Sequence, residues 1–124
     1  SHLSRIEEGT AQCLSAITGK ACKVHLDQNL DPLYVEQGGQ KFRVQQLSRG
    51  AQDQLYFALR LSAIKEICED VSLPLVLDDP FVNFDERRLA EAQTMLDAIA
   101  KKHQVILLTH DRRYAEWKKP AVLL

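Results

Sequence analysis

Leu73-Pro74-Leu75-Val76-Leu77-Asp78-Asp79-Pro80 is a short apolar run that ends in two acids and a proline. With no polar residue to mark an outer face, it predicts a strand covered on both sides, and Pro80 disfavours helix in the residue before it. Residues 104–109 predict a second buried strand, ending in His110-Asp111. Between the two, Leu89, Ala92, Leu96 and Ile99 share one stripe at helical spacing, which predicts a helix over 86–102 with Asp85 as its N-cap. Strand, helix, strand is a βαβ unit. Its crossover makes the strands parallel and puts their carboxyl ends on one edge of the sheet.

Upstream, residues 51–71 carry Leu55, Tyr56, Phe57, Ala58, Leu59, Leu61, Ala63, Ile64 and Ile67, a helix apolar around most of its circumference and therefore expected deep in the fold. Residues 4–18 place Ile6, Cys13, Leu14 and Ile17 at near-helical spacing, with Gly19 as a stop. Val24 and Leu26 alternate with polar residues in a strand over 23–28. Leu33 and Val35, then Phe42 and Val44, alternate on either side of Gly38-Gly39, the pattern of a hairpin. The expected fold class is α/β, with parallel strands flanked by helices and preceded by a helix and a β-hairpin.

The 124 residues, 45% hydrophobic and 27% charged, suit one soluble domain over 1–124, large enough to build a core without metal or disulfide staples. Lys and Arg number 16 against 17 Asp and Glu, so no global basic field advertises nucleic acid. The basic, aromatic stretch of Arg112, Arg113, Tyr114, Trp117, Lys118 and Lys119 is interleaved with acids and reads as a solvated face. Cys13, Cys22 and Cys68 are odd in number and lack a CxxC, which fits a reducing, cytoplasmic setting. Cys22 and His25 have a ligand-like gap but no second pair.

Ligands of open α/β sheets sit beyond the carboxyl ends of the strands. Asp78 and Asp79 close one such end; Thr109, His110 and Asp111 close the other. Alternation along a strand aims adjacent aspartates differently, so the pair can hold two objects, such as a metal's water shell and an attacking water. Either acid alone also serves as a turn cap, and His110 alone as a structural histidine. Leu47-Ser48-Arg49-Gly50 opens the buried helix, where free N–H groups and the helix dipole suit anionic oxygen; a plain N-cap with an easing glycine is the simpler alternative.

In order, Leu47-Ser48-Arg49-Gly50, Leu75 to Pro80, Asn83-Phe84-Asp85 and Leu107-Leu108-Thr109-His110-Asp111 resemble the C-terminal lobe of ABC-superfamily ATPase heads. The likeness is to the SMC, RecF, RecN and SbcC branch, and within it to YhaN-type bacterial coiled-coil ATPases. The resemblance implies ATP and Mg2+ as cofactors. It makes Ser48, Arg49 and Gly50 the signature motif that closes over ATP on a second head, Asp78 the magnesium-holding acid, and Asp79 the acid that polarises the attacking water. It makes His110 the switch histidine, and Asn83 and Asp85, with Ser48, part of the head-to-head interface. Arg49 stands where Gly is usual, and Asp79 where Glu is commoner.

No GxxxxGK[ST] occurs, so the cradle for the β- and γ-phosphates is missing. With Ser1-His2-Leu3 opening the chain, the expectation is a C-terminal fragment whose residues 1–18 end a returning coiled-coil helix. Its expected partners are the N-terminal Walker A lobe of the same parent and a second head, with DNA and a nuclease or other subunit as further candidates. A magnesium-dependent phosphoesterase using Asp78, Asp79 and Asp111, or a dimerisation module that never turns over ATP, are the alternative functions.

Overall fold

The computed structural model describes residues 1–68 and 73–109. Helix α1 (His2–Thr18) ends where Gly19 turns left-handed at φ 76° and returns its N–H to Ser15. Strands β1 (Cys22–Leu26), β2 (Pro32–Gln37) and β3 (Gln40–Arg43) form an antiparallel sheet in that order. Gly38 and Gly39, at φ 60° and 77°, make the β2–β3 turn in a region that costs glycine nothing. Val44, expected at the end of this hairpin, instead opens a single 3-10 turn, Val44–Gln46, and is buried there.

Helix α2 (Arg49–Ile67) stops short of the expected residue 71, with Cys68 as its cap. It stands between two hydrophobic cores. Phe57 and Leu61 face Ile17, Leu75, Leu77, Phe81, Phe84 and the stripe of α3 (Glu86–Ile99). Leu55, Ala58 and Leu59 face Ile6 and Leu14 of α1 and Val24, Leu26 and Val35 of the sheet. Two cores on different sides explain why the helix reads as apolar nearly all round. Its buried surface also includes Gln54 and Ser62, while Tyr56 lies on an exposed side. α1 crosses α2 closely at Gly9, where an added Cβ would fall 2.9 Å from Ser62 Oγ.

The strands β4 (Leu75–Asp78) and β5 (Val105–Leu108) pair in parallel, with Asp78 beside Leu108. All four stripe positions of α3 are buried, and Asp85 caps it by accepting from the Arg88 N–H at 2.8 Å. The helix ends at Ile99 rather than 102, because the buried stripe runs out there; Lys102 and His103 return their N–H groups to Ile99.

The expectation of strands covered on both faces is corrected. Leu75 and Leu77 are buried against α2 and α3, but Val76 is 41% exposed and its register partner Ile106 is 37% exposed. One face of the parallel pair is open and apolar. No helix among the described residues is long and apolar enough to cross a membrane.

Candidate functional site

The loop into α2 is fastened by its own side chains. Ser48 Oγ accepts from the Ala51 N–H at 3.1 Å, the capping geometry, and Gln52 Nε2 donates back to the carbonyls of Val44 and Leu47. Ser48 and Arg49 are exposed. Gly50 faces the loop that follows β4, where a Cβ would meet Asn83 Cβ and O at 3.5 Å. Asn83 Nδ2 donates to Asp53 Oδ2 at 2.6 Å, one turn further along α2.

Beneath this contact the same loop is held by rings. Phe81 is fully buried and packs edge-on against Phe57 and Phe84, each at 5.0 Å between centroids. The loop is therefore fixed to α2 by apolar packing below and by a hydrogen bond above.

Asp78 closes β4 with its side chain exposed, and Asp79 follows with φ 43°, in the left-handed region. Its N–H still donates to Leu108 at 2.7 Å, so the turn begins where the ladder ends. Non-glycine residues in this region are uncommon, Asp and Asn being the most tolerated, and such outliers cluster at functional sites.

A cleft of about 380 Å³ joins these parts, lined among others by Arg49, Asp53, Asp78, Asp79, Val82 and Asn83. Arg49, Asp53, Tyr56 and Arg60 follow one another at helical spacing along its α2 wall. Arg60 ties that wall to the strand by donating to the Val76 carbonyl at 2.7 Å. Exposed carboxylate oxygens at a strand end fit Mg2+, which is held by one or two carboxylates together with phosphate oxygens and water. Among the described residues no three His, Cys, Asp or Glu converge as a metal cage.

No protein-family model matches the chain. A DNA double-strand break repair Rad50 ATPase of Sulfolobus acidocaldarius is 40% identical over 75 residues, which is 60% of this chain and 8% of that protein. YhaN of Bacillus subtilis is 28% identical over 107 residues, 85% of this chain and 11% of its own length. The SMC head domain of Thermotoga maritima superposes with a TM-score of 0.66 over 97% of this chain and 42% of that one, at 21% identity. The chain is therefore similar in sequence to a part of these Rad50 and YhaN proteins and has the fold of SMC head domains. The chain spans about a tenth of the curated relatives it matches.

In this chain the expected signature residues, Arg49 and Gly50, and the expected interface residue Asn83 meet the acids Asp78 and Asp79 around one cleft. Ser48 and Asp85 stand as helix caps, with Asp85 exposed. His110, and with it Asp111 and the basic stretch after it, lies outside the described residues. Sequence reasoning missed Asp53, Tyr56, Arg60 and Gln52. The first three were legible only as a spacing of four, three and four from Arg49, a signal hidden by the apolar residues between them.

Cys22 and His25, the other pair weighed for a ligand role, have ordinary neighbours. His25 Nε2 lies 2.9 Å from Glu36, and Cys22 Sγ lies 3.3 Å from Ser15 Oγ. Burial pushes the Cys13 thiol up to about 11, so it stays protonated beside Met95.

Proposed function

We propose that residues 1–124 act as one unit supplying the acid-bearing and interface half of an ATP-dependent head that works by pairing with a second head. The contact of Gly50 with Asn83 beside Asp78 and Asp79 carries this reading, because it gathers at one strand end the groups needed on both sides of a shared nucleotide. Ser48, Arg49 and Gly50 present N–H groups, a helix dipole and a guanidinium to the γ-phosphate of ATP held by the second head. Asp78 holds Mg2+ through water, and Asp79 orients the attacking water and takes its proton. His110 senses the γ-phosphate, while Asn83 and Asp85 face the second head. Bound Mg2+ supplies positive charge against the phosphates.

The Walker A lobe of the same parent is the partner in cis. Support comes from the open apolar face at Val76 and Ile106, since parallel strands are normally covered on both sides. The Rad50 relative, named for DNA double-strand break repair, supports a role in repair or chromosome maintenance, with DNA and a nuclease or other subunit as further partners.

The test is to mix this chain with the parent's N-terminal lobe and follow ATP turnover and ATP-dependent pairing. The chain alone should be inert and the mixture active. Ser48→Arg should block pairing while leaving nucleotide on the other lobe. Asp79→Asn should leave heads paired and slow turnover by about 10²-fold or more. Turnover by the chain alone, abolished by Asp79→Asn, would instead identify a magnesium-dependent phosphoesterase. Pairing of the unaltered mixture without turnover would identify a dimerisation module.

A further inference from the structure

The loop after β4 is tied to α2 both below and above, and the two ties differ in kind. Below, Phe81 packs edge-on against Phe57 and Phe84, and the Phe84 N–H donates to the Phe81 carbonyl at 3.0 Å, so apolar burial already sets the path of the loop. Above, Asn83 Nδ2 donates to Asp53 Oδ2 at 2.6 Å, joining an exposed amide to a half-buried carboxylate. Surface groups of this kind contribute little to folding, because water replaces either partner. The bond matters for what it orients.

A carboxylate only accepts, so Asp53 admits one of the two settings of the Asn83 amide. The NH2 group is drawn to α2 and the carbonyl oxygen Oδ1 is turned away from Asp53. Asn83 stands against Gly50 at the mouth of the cleft, so this setting decides which polar atom the loop presents there. An acid four residues after Arg49 could instead serve as its ion-pair partner. Such a pair, with the cation first, shifts an equilibrium by only about 2-fold, and among the described residues Arg49 and Asp53 form no ion pair.

We propose that Asp53 is a positioning residue for head pairing: it holds Asn83 Nδ2 inward and thereby offers Asn83 Oδ1 as an acceptor to a hydrogen-bond donor on the second head. This role rests on the head-pairing function above, and adds to it a residue and the polarity of one contact.

Turnover by the full-length parent, measured against head concentration at saturating ATP, separates pairing, read as the midpoint, from chemistry, read as the plateau. Asp53→Ala should raise the midpoint about 10-fold, because pairing covers Asn83 Nδ2 and leaves a donor without an acceptor. The plateau and the KM for ATP should stay within about 2-fold, and the melting temperature within about 2 °C, since water serves the amide until the heads meet. Asp53→Glu keeps the acceptor and should hold the midpoint within about 3-fold of the unaltered protein. Asn83→Asp sets two carboxylates against each other and should raise the midpoint beyond that of Asp53→Ala. Adding Asp53→Asn to it restores a donor and an acceptor, with an oxygen still turned outward, and should bring the midpoint back. An unmoved midpoint for Asp53→Ala, or a swapped pair no better than Asn83→Asp alone, overturns the proposal. A plateau that falls while the midpoint holds overturns it as well, and assigns Asp53 to the chemistry beside Asp79. Failure of the unaltered heads to pair with ATP overturns the head-pairing function itself and this role with it, whereas normal pairing of unaltered and Asp53→Ala heads alike removes only the role of Asp53.

Discussion

Asp79 sits at φ 43° at the position where the family resemblance implies the longer Glu, and replacing it tests whether the backbone there selects the shorter acid. A left-handed conformation costs an ordinary L residue roughly 1–2 kcal/mol, while the several-fold enrichment of Asp and Asn corresponds to a relief of about 0.6–1 kcal/mol. Asp79→Asn should therefore be nearly neutral in stability, and Asp79→Glu should cost about 0.6–1 kcal/mol. Asp79→Val adds a β-branch and should cost more, roughly 1–3 kcal/mol. Asp79→Gly removes the Cβ clash but gains about 0.5–1 kcal/mol of unfolded-state entropy, leaving it near the parent. At about 3–5 °C per kcal/mol for a chain this size, melting temperatures should order Asn and Gly near Asp, Glu about 2–5 °C lower, and Val lowest. Circular dichroism melts and urea titrations of the five chains read this directly. A neutral or stabilising Asp79→Glu, or a tolerated Asp79→Val, would refute the left-handed backbone as the reason for Asp. If the order holds, the Asp at this position is a concession to the turn.

Two further perturbations probe the frame of the site. Phe81→Ala empties a fully buried position touching two rings and should cost about 3–5 kcal/mol, readable as a fall of about 1–3 M in the urea midpoint; a loss under about 1 kcal/mol would mean the loop does not lean on α2 through this ring. Glu66, whose carboxyl is held below its usual range by hydrogen bonds from Arg5 and then His2, ties α1 to α2. Because its folded pKa is depressed, its stabilisation is full above the ordinary carboxylate value of 4.5 and is lost as pH falls through the lower folded value. Glu66→Gln should flatten that part of a stability-against-pH curve, and an unchanged acid limb would remove the tie from the account.

Much of the fold was legible because the signals were local. Gly19 and Gly38-Gly39 mark positions that need positive φ, Asp85 marks a cap, and the stripe from Leu89 to Ile99 has one burial partner, so periodicity alone locates it. The open face of β4 and β5 was not legible, because Leu75, Val76 and Leu77 are all apolar and the alternation between buried and exposed leaves no trace in residue type. Ile67, counted toward a buried helix, is exposed for the same reason. At the site, sequence order placed Ser48 to Gly50, Asp78, Asp79 and Asn83, but the pairing of Asn83 with Asp53 joins residues 30 apart and has no local signature. The positive φ of Asp79 was likewise invisible, since Asp is common in many backbones.

The placement of α2 between two cores bears on how the molecule comes apart. Phe57 and Leu61 belong to one cluster while Leu55, Ala58 and Leu59, on the same helix, belong to the other; Cys13 of α1 packs against both. Neither cluster can lose its packing without stripping a side of the helix the other needs, so partial melting of either half is penalised by both. The antiparallel and parallel portions therefore unfold as a single cooperative unit, with the amides of α2 opening only in the global transition. A strain applied at α1 accordingly reaches the loop at Asp79 through one helix, with no soft joint along the way.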